Sequence, residues 1–192
     1  MEGTLVVSGA KNREELGRFL ESCGCRGVTL AASGAEARRL LGEREFALVA
    51  VAAPLPDEFG GELALHAVSA TDSGVLLLAG GGRAQEVAEG LREYGVAVLP
   101  TPLSRQAAAQ AVELLLAARR RTLRLREENR RLSRRLEDAR LVCRAKCLLI
   151  QYGGMTEEEA HHAVERRAMD RRRSRREAAE EIIAAYEGEA AE

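Results

Sequence analysis

Arginine is the side chain this sequence spends most freely where chemistry could occur. Arg166, Arg167, Arg171, Arg172 and Arg173 crowd into eight residues, with Arg144 and Lys146 a little upstream. Guanidinium and ammonium groups at that density suit a polyanion, because each cation placed beside a phosphate releases a condensed counterion. The other reactive types are sparse and badly spaced for catalysis. His161 and His162 occupy successive positions of a helical stretch and face different ways, and His66 stands alone. Cys23 with Cys25, and Cys143 with Cys147, fit neither a CxxC pair nor a secreted disulfide framework, and read as free thiols rather than a metal set. Whether Cys23 and Cys25 respond to redox state does not follow from their spacing. No nucleophile, base and oxyanion donor come together, so the expectation is no enzyme, no catalytic residue, no metal site and no cofactor.

Charge is segregated along the chain. Residues 1–118 carry 10 basic and 15 acidic side chains, residues 119–176 carry 19 and 9, and residues 177–192 carry 6 acidic and no basic ones, so a net of −1 conceals a strongly basic middle. Only 3% of residues are aromatic and Trp is absent, which leaves little for base-stacking platforms and puts the weight on arginine. There is no signal-peptide pattern and no apolar run of membrane-spanning length, so the expected location is cytoplasmic with no membrane partner.

The elements that would position these residues fall into three stretches. In the first, β-rich runs "TLVVS" (4–8), "GVTLA" (27–31), "FALVAVA" (46–52), "GVLLLA" (74–79) and "GVAVLP" (95–100) alternate with helical spacing. That rhythm predicts an α/β fold: a doubly wound, parallel five-stranded sheet with helices on both faces. Ligands of such sheets sit at the carboxyl ends of the strands, just after Val7, Val51, Leu78 and Leu99. From about Ser104 to "YGG" at 152–154 the pattern is helical without a break. A heptad register with Leu115, Thr122, Asn129, Leu136 and Cys143 at a, and Ala118, Leu125, Leu132 and Ala139 at d, predicts a coiled coil. Asn129 at an a position favours a parallel pair in register, so a homodimer through Leu115, Leu125, Asn129, Leu132 and Leu136 is expected. Arg121, Arg126, Arg135 and Arg140 fall at e and g, where they gain nothing from dimerisation. Finally, Thr156 and Glu159 form the T-x-x-E of a capping box, so a new helix opens after "YGGM", and Ala145, Ala160 and Ala168 are seats for close helix approach.

"AVAAPLPDEFGG" (50–61) resembles the turn after the central strand of response-regulator receiver domains, a flavodoxin-like fold. That family has an acidic pair, a phosphoacceptor Asp, Ser or Thr, and Lys before Pro at the strand ends. Here those slots hold Ser8 and Gly9, Ala52, Ala79, and Thr101 before Pro102. The acids would hold Mg²⁺ and the lysine would neutralise the phosphoryl group, so the resemblance implies a receiver fold without phosphotransfer. Asp57 and Glu58 lie beyond the pocket. Input would then come from a regulatory protein, a ligand in the degenerate pocket, or expression level.

"RAKCLLIQYGGMTEEEAHHAVERRAMDRRRSRREAAEEII" (144–183) resembles the ANTAR domain, the three-helix RNA-binding module of bacterial antitermination regulators. Arg144, Ala145, Lys146, Leu149, Gly154, Thr156, Glu157, Glu159, Ala160, Ala168, Met169, Arg173, Glu177, Ala179, Ile182 and Ile183 match its pattern. Cys147, Ile150, Arg175 and Ala178 depart from it, the last two thinning the apolar face of the third helix. The resemblance implies an organisation of receiver-like domain (1–103), coiled-coil linker helix (104–135) and ANTAR domain (136–187). It also implies a dimer that binds two-hairpin leader transcripts, with Arg144, Lys146, Tyr152, Arg166, Arg167, Arg171, Arg172 and Arg173 as RNA-binding candidates. The competing expectation is a protein-binding scaffold or signalling adaptor acting through the receiver-like domain and coiled coil.

Overall fold

A computed structural model of the chain describes residues 3–9, 13–80 and 89–189. It divides into two compact units, Met1–Arg124 and Leu125–Glu192.

In the first unit, strands β1 (Gly3–Val7), β2 (Val28–Ala31), β3 (Phe46–Ala52), β4 (Gly74–Gly80) and β5 (Ala97–Thr101) form one parallel sheet in the order β2-β1-β3-β4-β5. The reversal of strand order beside β1 is the switch point at which such sheets open a crevice. Strand alternation sends residues to both faces. Leu5, Val7, Val49, Val51, Val75 and Leu77 face one cluster, completed by Leu40 and Leu41 of α2 (Gly34–Glu43) and by Leu63, Ala64 and Ala67 of α3 (Gly61–Ala70). Val6, Leu48, Ala50, Leu76 and Leu78 face the other, completed by Leu20 of α1 (Arg13–Ser22) and by Val112 and Leu116 of α4 (Arg105–Gly153). Such two-sided burial explains why β3 and β4 read as continuous apolar runs. The doubly wound parallel five-stranded sheet expected from the strand rhythm is present, with each strand within two residues of its predicted start.

Asp57 and Glu58 are structural. The Asp57 carboxylate accepts hydrogen bonds from the Gly34 and Ala35 N–H groups at 2.9 and 3.0 Å, which holds it below the usual carboxylate range and supplements the Ser33 N-cap of α2. Glu58 makes a two-point ion pair with Arg38 at 2.6 and 2.8 Å. Gly60, at φ 105°, starts α3 where an added Cβ would lie 2.9 Å from Val51 Cγ1, so glycine is required there for space as well as for conformation.

The second unit contains the remainder of α4, then α5 (Glu157–Asp170) and α6 (Arg175–Glu189). Its core is small and alanine-rich: Ala145, Leu149, Ala160, Val164, Ala179, Ile182 and Ile183. The capping box at α5 is formed as the T-x-x-E spacing predicts, with the Glu159 carboxyl held below its usual range by the Thr156 N–H and hydroxyl. Gly154, at φ 63°, follows the end of α4. A second box, Ser174 with Glu177, opens α6: the Ser174 N–H donates to Glu177 at 2.8 Å and the Glu177 N–H to the Ser174 hydroxyl at 3.2 Å. Its S-x-x-E spacing is the same kind of signature as the T-x-x-E at Thr156. The apolar face of α6 is not thinned in practice. Ala178 is 1% exposed and Arg175 lies on the outer side, ion-paired with Glu165.

Candidate nucleic-acid interface

The basic residues of the second unit differ sharply in what already holds them. Glu181 on α6 is a hub: Arg167, Arg171 and Arg173 converge on its carboxylate at 3.5, 3.0 and 2.5 Å. Only the Arg173 contact is a hydrogen bond; the other two are ion pairs to an oxygen that is enclosed and lacks hydrogen-bond geometry. The hub ties the α5–α6 turn to the last helix. Its exposure to solvent limits the gain to well under the value of a buried pair. Lys146 is likewise occupied, donating to Glu157 in the first turn of α5 at 2.5 Å and tying α4 to α5. Arg176 spans Asp138 of α4 and Glu180 of its own helix.

Arg166 and Arg172 are exposed and have no ion-pair partner among the described residues, and Arg144 is exposed on α4. Arg130, Arg131, Arg134, Arg135 and Arg140 are exposed along α4 of the same unit. Arg172 is also conformationally costly. It is the one non-glycine residue with positive φ (52°) among those described, at the left-handed position that ends α5. The Arg173 N–H reaches back to the Ala168 carbonyl at 2.9 Å and the Arg172 N–H to Met169 at 3.1 Å, the double bond of a Schellman motif. Glycine is the ordinary occupant of that position, because a Cβ there crowds the backbone. Replacing Arg172 with Gly is therefore expected to move two measurements in opposite directions: a melting transition raised by up to about 1 kcal/mol of stability, and weaker binding to a polyanion. Parallel thermal unfolding and filter binding check both.

Tyr152 lies near the end of α4, 64% exposed, with its ring 5.9 Å from that of Tyr186 and inclined by 28°. Tyr186 supports one face of the stack and the unit's core supports Tyr186 in turn. Met169, 70% exposed, sits beside Arg172 and Arg173 along a shallow groove. Both histidines fall to Glu165, His161 at 3.4 Å and His162 at 3.7 Å. Glu165 and Glu181, the carboxylates that organise this surface, were missed from sequence because their arginine partners lie 8 to 14 residues away across a turn, outside any helical spacing rule.

Of the dimerisation candidates, Leu125, Leu132 and Leu136 are 55–56% exposed and Asn129 is exposed. Leu115 is different: it is half-buried in the cluster beneath the sheet, where a Cβ on Gly74 would approach its own Cβ to 3.1 Å. In the first unit Ser8, Gly9, Ala52 and Thr101 do meet at one cavity, together with Leu78.

The ANTAR domain family model matches residues 130–183, which contain the α5 and α6 pair and the end of α4. Over 172 residues the chain is 32% identical to the transcriptional regulatory protein PdtaR of Mycobacterium tuberculosis, covering 89% of this chain and 83% of that protein. The chain belongs to the ANTAR-domain transcriptional regulators. Solved structures similar to it show the fold of this regulator's first unit. A response regulator receiver domain protein from Clostridium thermocellum superposes with a TM-score of 0.56 at 19% identity, over 62% of this chain and 98% of that one. A signal receiver domain of an HD domain-containing protein from Pseudomonas fluorescens Pf-5 gives 0.57 at 22%, over 64% and 92%. Among the described residues of this ANTAR regulator, no group of three or more His, Cys, Asp or Glu side chains is placed to hold a metal ion, and no helix is long and apolar enough to cross a membrane.

Proposed function

We propose that the protein is an RNA-binding transcription antitermination regulator that acts as a cytoplasmic homodimer on two-hairpin leader transcripts. Each ANTAR domain (136–187) takes one hairpin loop, the chains pair through Leu125, Asn129 and Leu132 of the linker helix (104–135) and Leu136 immediately after it, and the receiver-like domain (1–103) works without phosphorylation. The carrying observation is Arg172. It is a cation without an ion-pair partner among the described residues, held in a left-handed conformation just past α5, which carries exposed Met169 and Arg166, within the ANTAR-matching residues. RNA loops suit such a surface because their bases are splayed out and reachable, whereas a duplex offers this unit mainly phosphate.

Two kinds of contact follow. Arg166, Arg171, Arg172 and Arg173 meet phosphate, with Arg171 and Arg173 exchanging part of their hold on Glu181. Tyr152, backed by Tyr186, offers its open face to an unstacked base. Tyr152→Ala is expected to weaken hairpin binding by about 1–3 kcal/mol and to reduce the preference for the cognate loop over a scrambled one. A gel shift of two-hairpin leader RNA against duplex DNA of equal charge tests the whole reading. An unaltered protein that binds no hairpin RNA at low salt would overturn it. A folded Tyr152→Ala protein that discriminates between loops as before would restrict Tyr152 to supporting Tyr186.

A further inference from the structure

A cavity lies in the first unit, at the carboxyl ends of β1, β3, β4 and β5. Its volume is about 830 Å³, within the range of roughly 300–1,000 Å³ typical of small-molecule sites. Its position is the one where a sheet of this order opens its crevice. Its described lining, however, carries no lysine or arginine, and Glu15 at the rim is its one carboxylate. Leu78 and Ala52 form the strand-end wall, Leu16 and Phe19 of α1 one side, and Pro102 with Leu103 the other. The polar groups are few: the Ser8 side chain, on a residue 5% exposed, the Thr101 hydroxyl, and at the rim the exposed Glu15 carboxylate.

A mostly apolar chamber with one or two convergent hydroxyls is the usual composition of a site for a small organic ligand. Anions are disfavoured, since Glu15 is the charged group among the described lining residues and a carboxylate repels them. Removal of the receiver acids therefore does more than delete a reaction. In the slots where the receiver pattern has three carboxylates and a lysine, this chain has Ser8, Gly9, Ala52 and Thr101, which turns a hydrated cation site into largely apolar volume, and apolar volume gains from being filled.

We propose that this cavity binds a small, uncharged, largely apolar molecule of drug-like size, hydrogen-bonded through Ser8 or Thr101. The site is independent of the RNA-binding reading, because every residue in it belongs to the first unit. It also meets the chain's output element directly: Thr101, Pro102 and Leu103 both line the cavity and lead into Arg105, the first residue of α4.

N-phenyl-1-naphthylamine, an uncharged dye that brightens in apolar surroundings, is the probe. The full chain is titrated with it, as are two pocket variants and one surface variant. Gly9→Leu adds apolar bulk at the lining; among the described residues an added Cβ there meets Pro56 Cγ at 3.9 Å, an ordinary contact. Ala52→Asp places a carboxylate against Leu78. Leu114→Gln removes a 70% exposed apolar side chain elsewhere on the same unit. The expected result is saturable binding at one site per chain, weakened roughly tenfold or more by each pocket variant and unchanged by Leu114→Gln. Either pocket variant that keeps its melting transition decides the comparison. Amide chemical shifts of the unaltered chain supply a readout that needs no variant, and the changes are expected to cluster on Ser8, Gly9, Leu16 and Leu103. The absence of saturable binding, equal binding by a folded pocket variant, or shifts confined to the second unit would each overturn the proposal.

Discussion

Ile182→Ala is expected to abolish cooperative melting of the ANTAR-matching unit at physiological temperature while the sheet unit keeps its own transition. Ile182 is 2% exposed and belongs to a core whose other buried members are three alanines, Leu149, Val164 and Ile183. Truncating a buried isoleucine costs about 2–5 kcal/mol, from lost transfer energy plus the cavity left behind. Three short helices this poor in large side chains have little else to lose; a single core of this size supplies about 3–5 kcal/mol in total. The alanines that allow the helices to approach are themselves too small to fill the gap. Thermal unfolding followed by far-ultraviolet circular dichroism should show loss of the helical signal of α5 and α6, or a fall of on the order of ten degrees or more in their transition. A drop of only a degree or two would mean that the core is not the principal source of the unit's stability. Hairpin binding should fall with the helical signal and return when low temperature or osmolyte restores it.

The contrast between the two units shows what sequence reading could reach. The sheet was legible because burial on both faces forces long apolar runs such as "FALVAVA", and because α2 between two of them begins at an N-cap, Ser33. The ANTAR unit was legible chiefly through its local rules: the capping box at Thr156 and the left-handed glycine at 154 involve residues a few positions apart. What escaped was the distribution of charge. An arginine's sequence position does not say whether a carboxylate from another helix already holds it. Arg171 and Arg172 are neighbours of the same type, yet one is fastened to Glu181 and the other stands in a conformation that glycine normally fills. Lys146 looked available and is tied to Glu157. Leu115 fitted the heptad as well as Leu125 did, but the start of α4 is also the cover of one sheet face, and periodicity alone cannot distinguish a leucine facing a sheet from one facing a second chain.

Replacing Leu125 and Leu132 together by arginine is expected to yield a monomer and to lower affinity for a two-hairpin transcript by roughly a hundredfold to ten-thousandfold. Both leucines are more than half exposed, seven residues apart, on a stretch of α4 whose neighbours Arg124, Arg126, Arg130 and Arg131 are all polar and exposed. In a parallel pair each would be buried against its counterpart, with Asn129 between them fixing the register through its amide. Burying one leucine side chain contributes about 1.5–3 kcal/mol, so losing two on each chain removes most of what such a short seam can supply. The introduced arginines add repulsion to a segment already rich in positive charge. Because neither leucine lies in the core of the ANTAR-matching unit, affinity for a single hairpin should be nearly unchanged or slightly higher, from the added cations. The large loss should appear only where two linked hairpins engage two linked modules, since there the second binding event is intramolecular. Light scattering on the same samples fixes the masses. A concentration-independent monomer for the unaltered chain would remove the dimer from the proposal, and an equal loss on single-hairpin and two-hairpin RNA would show that the leucines act on binding through the fold of one chain rather than by pairing two.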